Sequence, residues 1–165
     1  MKLRHGLFPL ALAGALLAGA AHAPAAQAYG GHTVRVSGSM FLSDDENFGS
    51  DETRTVRFSR SVALTHGAPR STIYYDACVG GEVLGTFQVT VSLEPNDVVV
   101  WQPTLRLYEG TSCFGTDLDG QVQGRARTLQ PNYYQPSTWI QTYNKDESTP
   151  DDRVRVDYEV HHNGS

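Results

Sequence analysis

Apolar and polar residues alternate along most of this 165-residue chain, and this period of two constrains the fold more than any other feature. Successive side chains of a β-strand point to opposite faces, so a strand with one buried face shows this alternation. In the first run Val34, Val36 and Leu42 fall on one face, and Arg35 and Ser37 fall on the other. The pattern predicts eight strands, within residues 34–42, 56–64, 73–77, 83–93, 99–107, 122–128, 138–143 and 154–160.

Turn-forming sequences rich in Gly, Pro, Asn and Asp separate these runs, and no stretch of useful length follows the period of a helix. Eight strands with short connections and polar outer faces predict an all-β domain. Two packed sheets or a barrel would both bury the apolar faces, and we expect a single-domain antiparallel β-sandwich. Arg60 conflicts with the pattern because it falls on the apolar face of the second run. We expect a β-bulge at residues 59–61 to turn it outward.

The first 28 residues have the pattern of a Sec-type signal peptide. A basic start, MKLRH, precedes an apolar core at residues 6–20 that is short and rich in Gly and Ala. Two A-x-A sites, residues 21–23 and 26–28, compete for cleavage, and Pro24 makes the first a poor site, so we expect the mature chain to begin at Tyr29. An uncleaved anchor is the alternative, but the apolar run falls short of the ~20 residues that span a bilayer. The sequence therefore predicts a secreted protein, with a signal peptide at 1–28 and one domain at 29–165.

The balance of charge limits the expected partners. The chain has 13 Lys and Arg residues against 18 Asp and Glu residues, a formal net charge of −5. Loss of Lys2 and Arg4 with the signal peptide leaves 11 basic residues against 18 acidic ones. This acidic excess disfavours nucleic acid, because its phosphates are bound by basic surfaces. No second apolar span is seen, so we expect no stable membrane anchor after signal cleavage.

Cys78 and Cys113 are the two cysteines of the sequence. An even count in a protein expected to be exported predicts one structural disulfide between them. A free pair, acting as a redox site or as inert buried thiols, is the alternative, but no C-x-x-C motif is present.

The strand count also sorts the connections between the two ends of the sandwich. If consecutive strands run antiparallel, alternate connections share one end. The connections at residues 43–52, 77–82, 109–120 and 145–152 share one end, and with the adjoining strand termini they contain 14 of the 18 acidic residues. Both cysteines fall at that end as well.

Clustered carboxylates repel one another, and a hard cation that prefers oxygen ligands relieves this repulsion. The sequence therefore predicts a Ca²⁺ site built from several acidic loops, in a module that binds rather than catalyses. Mg²⁺ fits less well because it demands stricter geometry. Acidic turns that are simply solvated are the alternative. The candidate ligands, as a pool, are Asp44, Asp45, Asp117, Asp119, Asp151 and Asp152.

An aromatic segment, QPNYYQPSTW at residues 130–139, is predicted to begin in a proline-flanked loop at the opposite end. Its aromatic residues Tyr133, Tyr134 and Trp139 are candidates for stacking on an extracellular glycan or for anchoring a protein partner. Tyrosines that fold back over the end of the core are the alternative.

The sequence contains no recognisable catalytic motif. There is no H-E-x-x-H and no G-x-S-x-G. His161 and His162 are adjacent on a predicted strand, so they point to opposite faces and cannot form a facing pair of zinc ligands. These observations favour a non-catalytic module. A small secreted hydrolase, or an enzyme inhibitor that presents residues 109–120, is the remaining alternative.

Overall fold

The computed structural model describes residues 31–45, 50–114, 117–145 and 152–164, and the predicted signal peptide lies outside them. Within this part of the chain, no helix is long and apolar enough to cross a membrane. Nine β-strands make up most of it: β1 His32–Asp44, β2 Glu52–Leu64, β3 Arg70–Val79, β4 Val83–Leu93, β5 Val99–Glu109, β6 Asp117–Gln123, β7 Arg127–Leu129, β8 Tyr133–Tyr143 and β9 Arg153–Asn163.

The strands form two antiparallel sheets packed face to face, which confirms the predicted β-sandwich. The first sheet has the order β2-β1-β9-β8, and the second has the order β3-β4-β5-β6, with β7 also paired to β5. In the first sheet, β1 and β9 lie side by side, from Thr33 opposite Asn163 to Ser43 opposite Arg153. This pairing places the end of β1 beside the start of β9 at one end of the sandwich, and the start of β1 beside the end of β9 at the other.

The core lies between the sheets and consists of the inward-facing members of the alternating pattern. Tyr158 of the first sheet packs against Phe87 and Trp101 of the second, with ring centroids 5.0 and 5.9 Å apart. Fully burying an apolar side chain contributes roughly 1.5–3 kcal/mol, so these contacts hold the two sheets together. Val56 and Val62 of β2 are only half-buried, because β2 lies at the edge of its sheet.

The sixth predicted strand, residues 122–128, is divided between β6 and β7. Both pair antiparallel with β5, so they run in the same direction. The break lies beside Pro103 of β5, whose backbone nitrogen carries no hydrogen to donate, while its carbonyl accepts from the N–H of Gly124 at 2.9 Å. A β-carbon at Gly124 would lie 2.6 Å from the Pro103 ring. Because the strand direction is unchanged, the predicted sorting of connections between the two ends still applies.

The bulge expected at residues 59–61 is not present, so that prediction is wrong. β2 pairs with β1 in unbroken register, with Arg60 opposite the buried Val36. Arg60 reaches solvent because β2 is an edge strand, and its guanidinium lies 5.0 Å from the ring centre of Tyr75 on the facing sheet. A cation over the face of an aromatic ring is favourable, so the edge tolerates an inward-facing arginine without a bulge.

The residues between the sixth and seventh predicted strands, 129–137, are mostly strand rather than loop. β8 begins at Tyr133, which lies opposite His162 of β9. The register shifts between Gln135 and Thr138, so Pro136 lies in a bulge. Proline is tolerated there because β8 forms the edge of the first sheet.

Candidate functional site

One end of the sandwich, here called the acidic end, gathers the β1–β2, β3–β4, β5–β6 and β8–β9 connections. The backbone N–H of Asp45, after β1, donates to Asp152 Oδ1 at 2.7 Å. The backbone N–H of Asn144 donates to the carbonyl oxygen of Asp152 at 3.0 Å, and its Nδ2 donates to Glu109 Oε1 at 2.7 Å. These contacts join connections that the strand count alone had assigned to one end.

Asp119 lies at the acidic end, within β6 rather than in the preceding loop. Its Oδ2 accepts a hydrogen bond from the N–H of Glu109 at 2.9 Å, and its carbonyl oxygen accepts from the N–H of Lys145 at 3.0 Å. The β3–β4 turn also reaches this end. There the Asp44 carboxylate occupies the space that a β-carbon of Gly80 would fill. With a φ of +64°, this position favours glycine on conformational grounds as well.

Three of the six candidate carboxylates are buried at the acidic end. Asp44, Asp119 and Asp152 expose 4, 8 and 5% of their surface. Burying a carboxylate is costly unless hydrogen bonds or positive charge compensate for the lost water. This burial is the feature that separates the acidic end from a set of ordinary solvated turns.

The remaining three candidates are not among the buried carboxylates that the structure describes. Asp45 and Asp117 are exposed, and Asp151 lies outside the described residues. Sequence reasoning missed Asn144, which is 2% exposed, because an uncharged amide gives no signal in a count of acidic residues. Within the described ranges, the three buried carboxylates do not form a set whose ligand oxygens all lie within 4.8 Å of one another. A bound cation would therefore draw on further oxygens, such as those of Asn144 and Glu109.

The predicted disulfide between Cys78 and Cys113 is present and lies at the acidic end. Its Cα atoms are 5.7 Å apart, within the usual range for such a bond. Cys78 is near the end of β3 and Cys113 lies in the β5–β6 connection, so the bond holds two of the four connections together. Arg54 of β2 donates from Nη1 to the carbonyl oxygen of Cys78 at 2.8 Å, which ties a third segment to the bond.

The structure separates the three candidate aromatic residues. Tyr134 lies on the outer face of the first sheet, where its ring stacks on that of His161 with centroids 5.4 Å apart. Trp139 shares that face and is 61% exposed. Tyr133 is exposed too, but it is in register with the buried His162 and so has the opposite orientation. Only Tyr134 and Trp139 therefore belong to one surface.

Charged side chains lie beside Trp139. The guanidinium carbon of Arg155 is 5.1 Å from the Trp139 ring centre, and its Nε and Nη2 donate to Asp157 at 2.9 and 2.8 Å. The hydrogen bond that Arg155 donates to Asp157 raises the pKa of Arg155 above its ordinary value. A shallow depression of ≈ 420 Å³ adjoins this pair and is also lined by Phe41 and Arg153. An exposed ring beside oriented donors and acceptors can stack on a ligand and hydrogen-bond to it at the same time.

His161 and His162 do point to opposite faces of the first sheet. His161 lies outside against Tyr134, whereas His162 is fully buried. Burial lowers the pKa of His162 below its ordinary value. What sequence reasoning missed is the partner on the inner side, because His32 Nδ1 lies 2.9 Å from His162 Nε2 across 130 positions of sequence. Only the pairing of β1 with β9 brings these two rings together.

A scan against models of known protein families and a search of curated proteins both find no match to this chain. We therefore infer function from the contacts, burial and charge of the described residues. Two surfaces carry that inference: the acidic end, which the sequence predicts, and the outer face around Trp139, where Tyr134 lies on β8 rather than in the predicted loop.

Proposed function

We propose that this protein is a non-catalytic binding module that holds a Ca²⁺ ion at the acidic end. The observation that carries the proposal is the burial of Asp44, Asp119 and Asp152 where four connections meet. Ca²⁺ takes roughly six to eight oxygen ligands from carboxylates, amide carbonyls, backbone carbonyls and water. Glu109 and Asn144 supply additional oxygens beside the buried carboxylates.

Electrostatic repulsion between neighbouring carboxylates would favour a bound cation at this end. Two unit charges 5 Å apart repel by roughly 3 kcal/mol at an effective dielectric constant near 20, and burial limits the relief that water provides. A divalent cation replaces this repulsion with attraction. Its binding would also stabilise the fold, because the ligands come from segments that are distant in sequence and meet only in the folded chain.

Calorimetric titration of the chelator-treated protein with CaCl₂ tests this proposal. We expect one site, weakened at least ~tenfold by Asp119→Asn or Asp152→Asn. Each change removes a charge but keeps an oxygen able to accept the N–H of Glu109 or Asp45. Glu94→Gln, which removes a carboxylate at the opposite end, is the control and should bind as the wild type does. Absence of binding by the wild type at millimolar Ca²⁺ would contradict the proposal.

We also propose that the module acts outside the cell after removal of residues 1–28. The Cys78–Cys113 disulfide supports this proposal, because disulfides persist in oxidising compartments and are rare in the cytosol. N-terminal sequencing of protein from the culture medium should read from Tyr29. Retention of the chain inside the cell, with both thiols reduced, is the result that would exclude export.

Glycan binding on the outer face of the first sheet is a second candidate function, favoured by the exposed ring of Trp139. A sugar ring could stack its C–H face on the indole while Arg155 and Asp157 hydrogen-bond to its hydroxyl groups. The depression lined by Phe41 and Arg153 extends this surface beyond a single ring. The same face would also suit a protein partner. Variants of the aromatic residues would show whether binding takes place on this face or elsewhere on the molecule.

A further inference from the structure

The end of the sandwich opposite the acidic end carries a group of side chains here called the histidine cluster: His32, His66, His162 and Asp97. His32 begins β1 and His162 lies near the end of β9, so the pairing of these strands brings them together. His66 lies in the β2–β3 turn and Asp97 in the β4–β5 turn. Because four separate segments supply the cluster, no spacing within the sequence identifies it.

Three of these side chains direct ligand atoms to one point. His32 Nε2 lies 3.2 Å from Asp97 Oδ1, and His66 Nε2 lies 3.0 Å from the same oxygen. All three ligand atoms lie within 4.8 Å of one another. With bonds of about 2.0–2.1 Å, ligand atoms around a tetrahedral zinc ion are roughly 3.3 Å apart. The observed spacings therefore fit one shared ion after a small adjustment of the exposed His66.

In the uncharged state of both buried imidazoles, the hydrogen bonds determine which ring nitrogen of each carries a hydrogen. The carbonyl oxygen of Leu129 can only accept, so His162 Nδ1, 3.1 Å away, donates to it. Nε2 of the neutral His162 ring is then an acceptor, and His32 Nδ1 donates to it at 2.9 Å. A neutral His32 consequently has its lone pair on Nε2, directed at Asp97. A lone pair facing a carboxylate oxygen is repulsive unless a proton or a metal ion lies between them.

Histidines that bind metals usually donate their second ring N–H to an acceptor that fixes the tautomer, and His32 does so through His162. Both rings are held by burial, since His32 is 3% exposed and His162 is 0% exposed. The side chains of His66 and Asp97 are 58 and 50% exposed, so an ion can reach the cluster from solvent.

We propose that His32, His66 and Asp97 bind a divalent first-row transition-metal ion. Zn²⁺ is the best match, because it combines imidazole and carboxylate ligands in tetrahedral sites. The fourth ligand position faces solvent and takes a water molecule, and His162 is a positioning residue for His32. This site is chemically distinct from the acidic end, since Ca²⁺ and Mg²⁺ prefer sites made of oxygen ligands.

Calorimetric titration with ZnCl₂ of the chelator-treated protein, carrying no histidine tag, tests this proposal. We expect one Zn²⁺ ion per chain, bound with a dissociation constant of ~10 µM or below and displaced by a chelator. His66→Gln and Asp97→Asn should each weaken binding at least ~tenfold. Both side chains are exposed, and asparagine tolerates the φ of 64° found at Asp97, so both variants should retain the fold by circular dichroism.

His161→Gln is the matched control, because it changes a neighbouring histidine whose side chain lies on the outer face. It should bind Zn²⁺ as the wild type does, and so should Asp119→Asn at the acidic end. Absence of Zn²⁺ binding by the wild type would overturn the proposal. Equal weakening in His161→Gln and His66→Gln would overturn it as well, because the bound ion would then lie elsewhere.

Discussion

Asp45 and Asp152 are 107 positions apart in the chain, yet the backbone N–H of the first donates to Oδ1 of the second at 2.7 Å. This hydrogen bond closes the acidic end by linking the residue after β1 to the residue before β9. The two strands pair along their length in the interior of the first sheet. The acidic end therefore forms only when distant parts of the chain have come together, and a ligand that binds only the folded acidic end would stabilise the whole fold.

Replacing both Cys78 and Cys113 with serine should lower stability while preserving the sandwich. The disulfide joins residues 35 positions apart, and the chain-entropy model gives about 4 kcal/mol for a loop of this length. Guanidinium denaturation followed by circular dichroism should show a lower midpoint for the double variant. Wild type treated with dithiothreitol should shift in the same direction. An unchanged midpoint in both samples would show that the bond does not support the acidic end.

Gly38→Ala should be strongly destabilising. A β-carbon at Gly38 would overlap the carbonyl oxygen of Asp157 on β9, and backbone atoms in the interior of a sheet cannot move aside. We expect a loss of at least ~2 kcal/mol in the free energy of unfolding. Gly67→Ala is the control, because the nearest atom to its β-carbon, Thr65 Oγ1, is 3.9 Å away. Equal stability of the two variants would contradict the observed pairing of β1 with β9.

Alkaline pH should destabilise the fold partly through Tyr158. Burial raises the pKa of Tyr158 from 10.0 to about 12, so the unfolded chain loses this proton before the folded chain does. The stability contributed by this group is therefore complete below about pH 10 and is lost as the pH rises through about 12. Denaturation midpoints measured across this range should fall less steeply for Tyr158→Phe than for the wild type. Burial also raises the pKa of Tyr75, so Tyr75 contributes to the slope that remains in Tyr158→Phe. Identical slopes for the wild type and Tyr158→Phe would contradict the role of Tyr158.

Trp139→Ala and Tyr134→Ala should each weaken glycan binding at least ~tenfold, whereas Tyr133→Ala should leave it unchanged. The first two residues share the outer face of the first sheet, and Tyr133 has the opposite orientation. A glycan array identifies the ligand, and tryptophan emission then gives its affinity. Ligand-induced changes in emission should come from Trp139, since Trp101 is 1% exposed. Loss of binding in Tyr133→Ala alone would move the site away from this face.

The strands and the buried face of each were predictable from the sequence, because a period of two is a local signal that residues such as Val34 and Val36 carry by themselves. Departures from the pattern depended on partners elsewhere in the chain. The break between β6 and β7 is explained by Pro103 in β5, and the unbulged Arg60 by the position of β2 at a sheet edge. Neither cause lies within the segment that it affects.

The candidate sites show the same division. Strand direction was enough to place Asp44, Asp119 and Asp152 at one end, but which carboxylates are buried depends on loop conformation that no local pattern encodes. The contact between His32 and His162 required the order of strands in the first sheet. Alternation determines which residues face inward, and it leaves open which strand lies beside which.

Whether the acidic end holds a cation can be read from melting temperatures. These would be measured for the wild type and for Asp119→Asn, each in chelator and in millimolar Ca²⁺. The wild type should rise by at least ~5 °C with Ca²⁺, because the ion binds only the folded chain. Asp119→Asn should show little rise, and Glu94→Gln should rise as the wild type does. A wild-type melting temperature that is the same in chelator and in millimolar Ca²⁺ would contradict the claim that the acidic end holds a cation.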